Sequence, residues 1–137
     1  MNMLAIDQGT TGSRAIVYDR RGCQLASAHR EFAQYFPEPG WVEHDPEDIW
    51  QSVREAVQAV LQEVPAASIA GIGIANQRET TVLWDRYAGQ PVHNAIVWQC
   101  LRTAPRCDEL RSEAASLYAR TGLPHNAFQH RQPHVGR

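Results

Sequence analysis

Two short apolar, β-branched runs, Leu4 to Ile6 and Ala15 to Tyr18, flank a stretch from Asp7 to Arg14 where small and hydroxyl residues replace the apolar ones. This pattern predicts strand, tight turn, strand. Asp19 to Gly22 turns the chain again, and Cys23 to His29 completes a meander of three strands. Arg30 to Glu43 mixes Phe32, Tyr35, Phe36 and Trp41 with Pro37, Pro39 and Gly40, which predicts an ordered loop pinned by rings rather than a regular element.

At Asp45 the period changes. Asp45-Pro46-Glu47-Asp48 supplies a capping carboxylate, a proline where a missing N–H costs nothing, and acids in the first turn. Ile49, Val53, Ala56, Val57, Val60, Leu61 and Val64 follow at helical spacing, so a helix over about residues 46 to 64 is expected to cover a sheet. Ile69 to Ala75 reads as a strand buried on both faces, with Gly71 and Gly73 permitting close backbone approach. Polar Asn76 to Glu79 separates it from another expected strand, Thr80 to Trp84. Ala95 to Trp98 is strand-like, and a second helix is expected from about Ala104 to Ala119, stopped by Gly122 and Pro124. Strands in meander, a helix, a further strand and more helix predict an α/β fold with a mixed sheet.

The polar interruptions are where chemistry is expected. At Gly9 to Gly12 successive N–H groups can converge into an anion-binding concavity. Asp7 at the strand end suits a hydrated divalent cation, and Arg14 on the returning strand suits phosphate charge. Taken alone, the turn also fits an ordinary hairpin that needs Gly and Thr for its bend. Arg78 and Glu79 read either as a solvated ion pair or as a donor–acceptor pair for a hydroxylated ligand, and Trp98 as a core ring or as a ligand platform.

Bulk properties narrow the partners. The 13 basic and 15 acidic residues give a net charge of -2, no field for nucleic acid or an anionic membrane. Cys23, Cys100 and Cys107 show no framework spacing, and neither an export signal nor an apolar run approaching ~18 residues is visible, so a cytoplasmic chain is expected.

Four blocks carry a resemblance: Asp7-Gln-Gly-Thr-Thr with Ser13-Arg14, Pro39-Gly-Trp-Val-Glu-His-Asp-Pro46, Ile74-Ala-Asn-Gln-Arg-Glu-Thr-Thr81, and Asn94-Ala-Ile-Val-Trp-Gln99. Together they resemble the FGGY carbohydrate kinase family, within the actin-like, ribonuclease-H-like ATPase fold, and in it the enzymes that phosphorylate glycerol. The resemblance implies transfer of the γ-phosphate of ATP, with Mg2+, to glycerol to give sn-glycerol 3-phosphate. It implies that Asp7 helps order Mg2+ through water, that Thr10, Thr11, Gly12 and Arg14 contact ATP or ADP phosphates, and that Arg78, Glu79 and Trp98 hold glycerol. Position 12 is Gly where many relatives have Ser, so only a backbone contact is implied there. Leu101 stands where some relatives have arginine. Relatives are several times longer and commonly oligomeric. Their general-base aspartate, adenosine pocket and second domain have no counterpart here, so the resemblance implies no catalytic residue in this chain and no turnover from it alone. A non-catalytic fragment or polyol- and nucleotide-binding remnant is the alternative, and a kinase for another polyol a further one.

The likeness is expected over residues 1–124, the first part of the kinase N-terminal domain. Residues 125–137 depart from it, lack any helical or strand period, and are expected to be a disordered tail from out-of-frame translation. His125, His130 and His134 have no nearby Cys or acid to complete a metal site. A truncated fold is therefore expected, with apolar surface and a strand edge left open.

Overall fold

In the computed structural model of the chain, which describes residues 1–123, a four-stranded sheet carries one long helix on one face. β1 (Asn2–Gln8), β2 (Gly12–Tyr18) and β3 (Gln24–Glu31) form the expected antiparallel meander. Its second turn is held by Asp19, whose carboxylate accepts from the N–H groups of Arg21 and Cys23 at 2.8 and 2.9 Å, and by Gly22 at φ 80°. After α1 (Pro46–Glu63) and a 3-10 turn, β5 (Ile69–Asn76) returns parallel to β1, giving the order β3-β2-β1-β5. β4 (Glu43–His44) and β6 (Ala95–Ile96) pair apart from the main sheet.

Alternation decides the core. Leu4, Ala15, Val17 and Ala26 point toward α1, which answers with Ala56 and Val60, joined by Val64 just past its end. α1 begins as its sequence dictates: Asp45 accepts from the Glu47 N–H at 2.8 Å and Pro46 takes the first turn. It ends where Val64, before Pro65, turns to extended backbone. Ser13 and Ser52, both buried, face each other across this interface at 2.8 Å.

Three expectations are corrected. β5 is not buried on both faces: Ile72 and Ile74 are 60% and 73% exposed, because α1 packs over β2 and β3 and leaves a groove over β5 that the described residues do not fill. Thr80 to Trp84 is not a strand. It makes single bridges, Thr81 to Ile96 and Trp84 to Pro91, so its two ends bridge different stretches of chain and no continuous ladder forms. The helix expected over 104 to 119 is α2 (Ala104–Glu109), a 3-10 turn, and α3 (Ala114–Thr121). The break falls at Leu110, with φ -88° and ψ 9°, and α3 closes at Gly122 in the left-handed region.

The loop from residue 32 to β4 is ordered by rings as expected. Phe32 meets His44 edge-on at 5.0 Å between centroids, and the Arg102 guanidinium lies 3.9 Å from the Trp41 ring centroid. Arg102 also donates to Glu43 at 2.6 Å, and Asn94 donates to the other oxygen of that carboxylate at 3.2 Å. This cluster ties β4 to the chain on both sides of Trp98 and so holds one wall of the cleft described next.

Candidate functional site

β1 and its parallel neighbour β5 end side by side, Asp7 opposite Ala75 and Gln8 opposite Asn76. In a parallel α/β sheet the carboxyl ends of adjacent strands are the natural place for a crevice. The Gln77 N–H continues the contact by donating to the Gln8 carbonyl at 2.7 Å. Beyond that bond the two chains diverge, the first into the Gly9–Thr11 turn and the second into Arg78 and Glu79. The gap between them is a cleft of about 390 Å³, with Trp98 also in its lining.

Asp7, Thr10, Arg78, Glu79 and Trp98 therefore share one cleft. Arg78 and Glu79 are exposed at its lip, while Thr10 and Trp98 are half-buried. The Trp98 indole N–H donates to Thr10 Oγ1 at 2.9 Å, tying that ring to the turn. That bond uses the hydroxyl oxygen as acceptor and leaves its proton to be donated to a ligand. Thr11, Gly12 and Arg14 stand outside the cleft lining. Arg14 sits beside Asp7 on the adjacent strand, with its side chain on the sheet face away from α1.

Glu79 holds a backbone angle of φ 66°, a left-handed conformation that residues with a Cβ seldom adopt. Strain of this kind persists where the surroundings impose it, and it clusters at ligand sites. Here the turn aims two adjacent side chains, one all-donor and one all-acceptor, at the same opening.

Two details alter the reading of the turn. The Gly9 N–H donates to the Gly12 carbonyl at 2.9 Å, so it closes the turn and is not among the groups offered to an anion. Gly12 has a packing reason: a Cβ there would lie 2.6 Å from the Arg30 carbonyl oxygen and 2.6 Å from His29 Nε2. The sequence did not single out Gln8 or His44 as part of the site. Gln8 lines the cleft, and His44 is fully buried behind it, where burial pushes its pKa below the ordinary value. An alternating strand pattern cannot mark the first, and the second is silent until Gln77 is seen to face it.

A strand–turn–strand hairpin beside a second turn, on a meander extended by a parallel strand, is an arrangement of the actin-like ATPase fold. The chain belongs to the FGGY family of carbohydrate kinases, whose N-terminal domain it matches over residues 2–131. It is 58% identical over 125 residues to the glycerol kinase of Alkalilimnicola ehrlichii, covering 88% of this chain and 25% of that protein. Glycerol kinase 2 of Thermotoga maritima is 52% identical over 130 residues, covering 92% of this chain and 26% of its own. The crystal structure of Plasmodium falciparum glycerol kinase with ADP superposes with a TM-score of 0.83 at 31% identity, over 93% of this chain and 26% of that one. The chain thus spans about a quarter of the length of these relatives.

Proposed function

We propose that this chain carries the phosphate hairpin and much of the triol site of a glycerol kinase, the enzyme that moves the γ-phosphate of ATP to glycerol. The single observation behind this reading is that Arg78, Glu79 and Trp98 open into the same cleft as Asp7 and Thr10. Glycerol offers three hydroxyls and an apolar C–H side. Arg78 donates to the hydroxyls, Glu79 accepts from them, and Trp98 covers the carbon skeleton. Thr10 and Thr11, with the Gly12 backbone, face the phosphates, and Arg14 balances their charge.

Mg2+ fits the residues present in one way. Asp7 is an exposed carboxylate at the cleft, and the described residues contain no group of three acids, histidines or cysteines able to enclose a metal. This donor set suits an ion that keeps its water and binds chiefly through phosphate oxygens. When bound, the ion neutralises charge on the phosphates.

The reaction depends almost wholly on positioning and charge stabilisation. A base on the attacking hydroxyl adds about 10²–10⁴ in rate, and alignment in a closed site about 7–11 kcal/mol. With Arg78 and Glu79 open to solvent, this chain alone binds without turnover. A non-catalytic binding role is the second reading, favoured by Arg78 and Glu79 standing exposed at the cleft. We place it in the cytoplasm, where no nucleic acid or membrane is engaged; no described helix is long and apolar enough to cross a membrane.

Glycerol titration tests the reading. Glycerol is expected to raise the melting temperature and perturb the Trp98 indole signal, with both effects lost in Glu79→Ala. A response equal in Glu79→Ala, or none in the parent chain, removes glycerol as the ligand. Phosphorylation of glycerol by the purified chain would overturn the non-catalytic part.

A further inference from the structure

Six hydrogen bonds close a ring through the two halves of the cleft. The Thr10 carbonyl accepts from Gln34 Nε2 at 2.9 Å, and Gln34 Oε1 lies 2.8 Å from His44 Nε2. Across the imidazole, Nδ1 lies 3.3 Å from Gln77 Nε2, and Gln77 Oε1 accepts from Thr80 Oγ1 at 2.9 Å. Thr80 Oγ1 in turn accepts from the Trp98 backbone N–H at 3.3 Å, and the Trp98 indole returns to Thr10 Oγ1 at 2.9 Å.

The ring assigns the proton on His44. Gln34 spends its amide on a carbonyl, so its oxygen must accept and His44 must carry a proton on Nε2. Gln77 spends its oxygen on a hydroxyl, so its amide must donate and His44 Nδ1 must be bare. Only a neutral imidazole in the Nε2–H tautomer satisfies both sides. Its full burial is consistent with that form, since desolvation disfavours the cation.

We propose that His44 is a positioning residue that couples the Thr10 turn to the Gln77–Thr80 turn, so that the phosphate and triol halves of the cleft are set as one unit. The assignment of the halves rests on the function proposed above. The coupling rests on the ring. His44 touches no ligand in this scheme and acts through Gln34 and Gln77.

The test uses the whole 137-residue chain and reads side-chain protons by NMR. In the parent chain His44 is expected as the Nε2–H tautomer, with the Trp98 indole proton protected from exchange. His44→Phe keeps a ring beside Phe32 and breaks both arms. It should speed exchange of the Trp98 indole and Gln77 amide protons by about tenfold or more, since each buried partner is left unsatisfied, while Val17 in β2 keeps its protection. His44→Gln offers a donor toward Gln34 and should restore the Thr10 arm. His44→Asn offers an acceptor toward Gln77 and should restore the other.

Three results overturn the proposal: unchanged Trp98 exchange in His44→Phe, an equal rise of exchange at Val17, or a parent chain without the Nε2–H tautomer or Trp98 protection. Glycerol added to the same samples separates the two readings. If the ring behaves as stated and glycerol shifts nothing, the coupling stands and the functional reading falls.

Discussion

Gly12 shows how one residue can be read for two reasons. Its place in the hairpin suggests a phosphate contact, while the clash a Cβ would make with the Arg30 carbonyl and His29 gives it a packing role. Gly12→Ser should cost about 1–3 kcal/mol, the usual range for overpacking, and Gly12→Ser with His29→Ala should recover only part of it because the carbonyl is backbone. Melting curves check this; a Ser variant as stable as the parent would show that β3 gives way. At Glu79 the trade runs the other way. Glycine removes about 1–2 kcal/mol of left-handed strain, partly offset by its chain entropy, so Glu79→Gly should hold or raise the melting temperature while abolishing the glycerol response. The chemistry of Arg78 and Glu79 was legible because it resides in the side chains themselves. The strain at Glu79 and the reason for Gly12 were not, the second because it is imposed by His29 and Arg30, remote in sequence. Acid acts on two further residues, His44 and Glu43. Burial holds His44 below its ordinary 6.5, and the Arg102 hydrogen bond holds Glu43 below its ordinary 4.5. The groups touching the His44 ring, Phe32, Gln34 and Gln77, are uncharged. In each case the unfolded chain binds the proton first, so stability is present above the ordinary value and is lost as pH falls through the folded one. Urea titrations should show stability falling from about pH 6.5 downward and again below about 4.5. A stability that rises on acidification across either window would contradict the sign.

At the scale of elements, α1 is held to the sheet by apolar contacts plus one polar pair whose direction can be worked out. Ser52 donates to the Ile49 carbonyl at 2.7 Å, so its only proton is spent and Ser13 must be the donor in the buried pair. Ser52→Ala then leaves the Ser13 hydroxyl buried without an acceptor, at a cost of about 1–3 kcal/mol, whereas Ser13→Ala leaves Ser52 satisfied by Ile49 and should cost less. A double-mutant cycle on melting data checks this asymmetry; equal single costs would reject the assigned donor. The meander and α1 were legible because a period of two and a period near 3.6 each persist long enough to be distinguished. The break at Leu110 was not, because one 3-10 turn leaves Cys107, Leu110, Ala114 and Leu117 half-buried on one side much as a continuous helix would. Thr80 to Trp84 failed as a strand because the composition of a segment says nothing of whether one partner runs alongside it, and here Thr81 bridges Ile96 while Trp84 bridges Pro91. The cleft itself was legible as two polar stretches after two strands. Their meeting required β5 to lie parallel to β1, which the strand and helix order favours but only the register establishes.

At the scale of the whole molecule, the sheet presents a surface that the described chain does not cover. Between α1 and β5 runs an apolar groove of about 710 Å³, lined among others by Ile49, Trp50, Val53, Ile72, Ile74 and Trp84. Trp50 and Trp84 are 57% and 59% exposed, and β5 is the sheet edge. An apolar patch beside an unpaired strand edge offers both the driving force and the template for association. Covering it requires a partner surface, and in dilute solution of the purified chain the abundant one is another copy. The chain is therefore expected to self-associate reversibly or aggregate, with a melting temperature that depends on protein concentration. Ile74→Lys places a charge in the groove at the edge strand without touching the core of Leu4, Val17 and Val60, and should shift sedimentation toward the monomer while leaving the helical circular dichroism intact. A cooperative, concentration-independent melt of the parent chain would refute the expectation, and would mean that the meander and α1 form a self-sufficient unit. The same measurement bears on the site. Gln8 and Trp84 border the groove, and Gln8 also lines the cleft, so association on one side and ligand response on the other meet at the end of β1. If the Lys variant binds glycerol more tightly than the parent, association strains that strand end; equal binding makes the two faces independent.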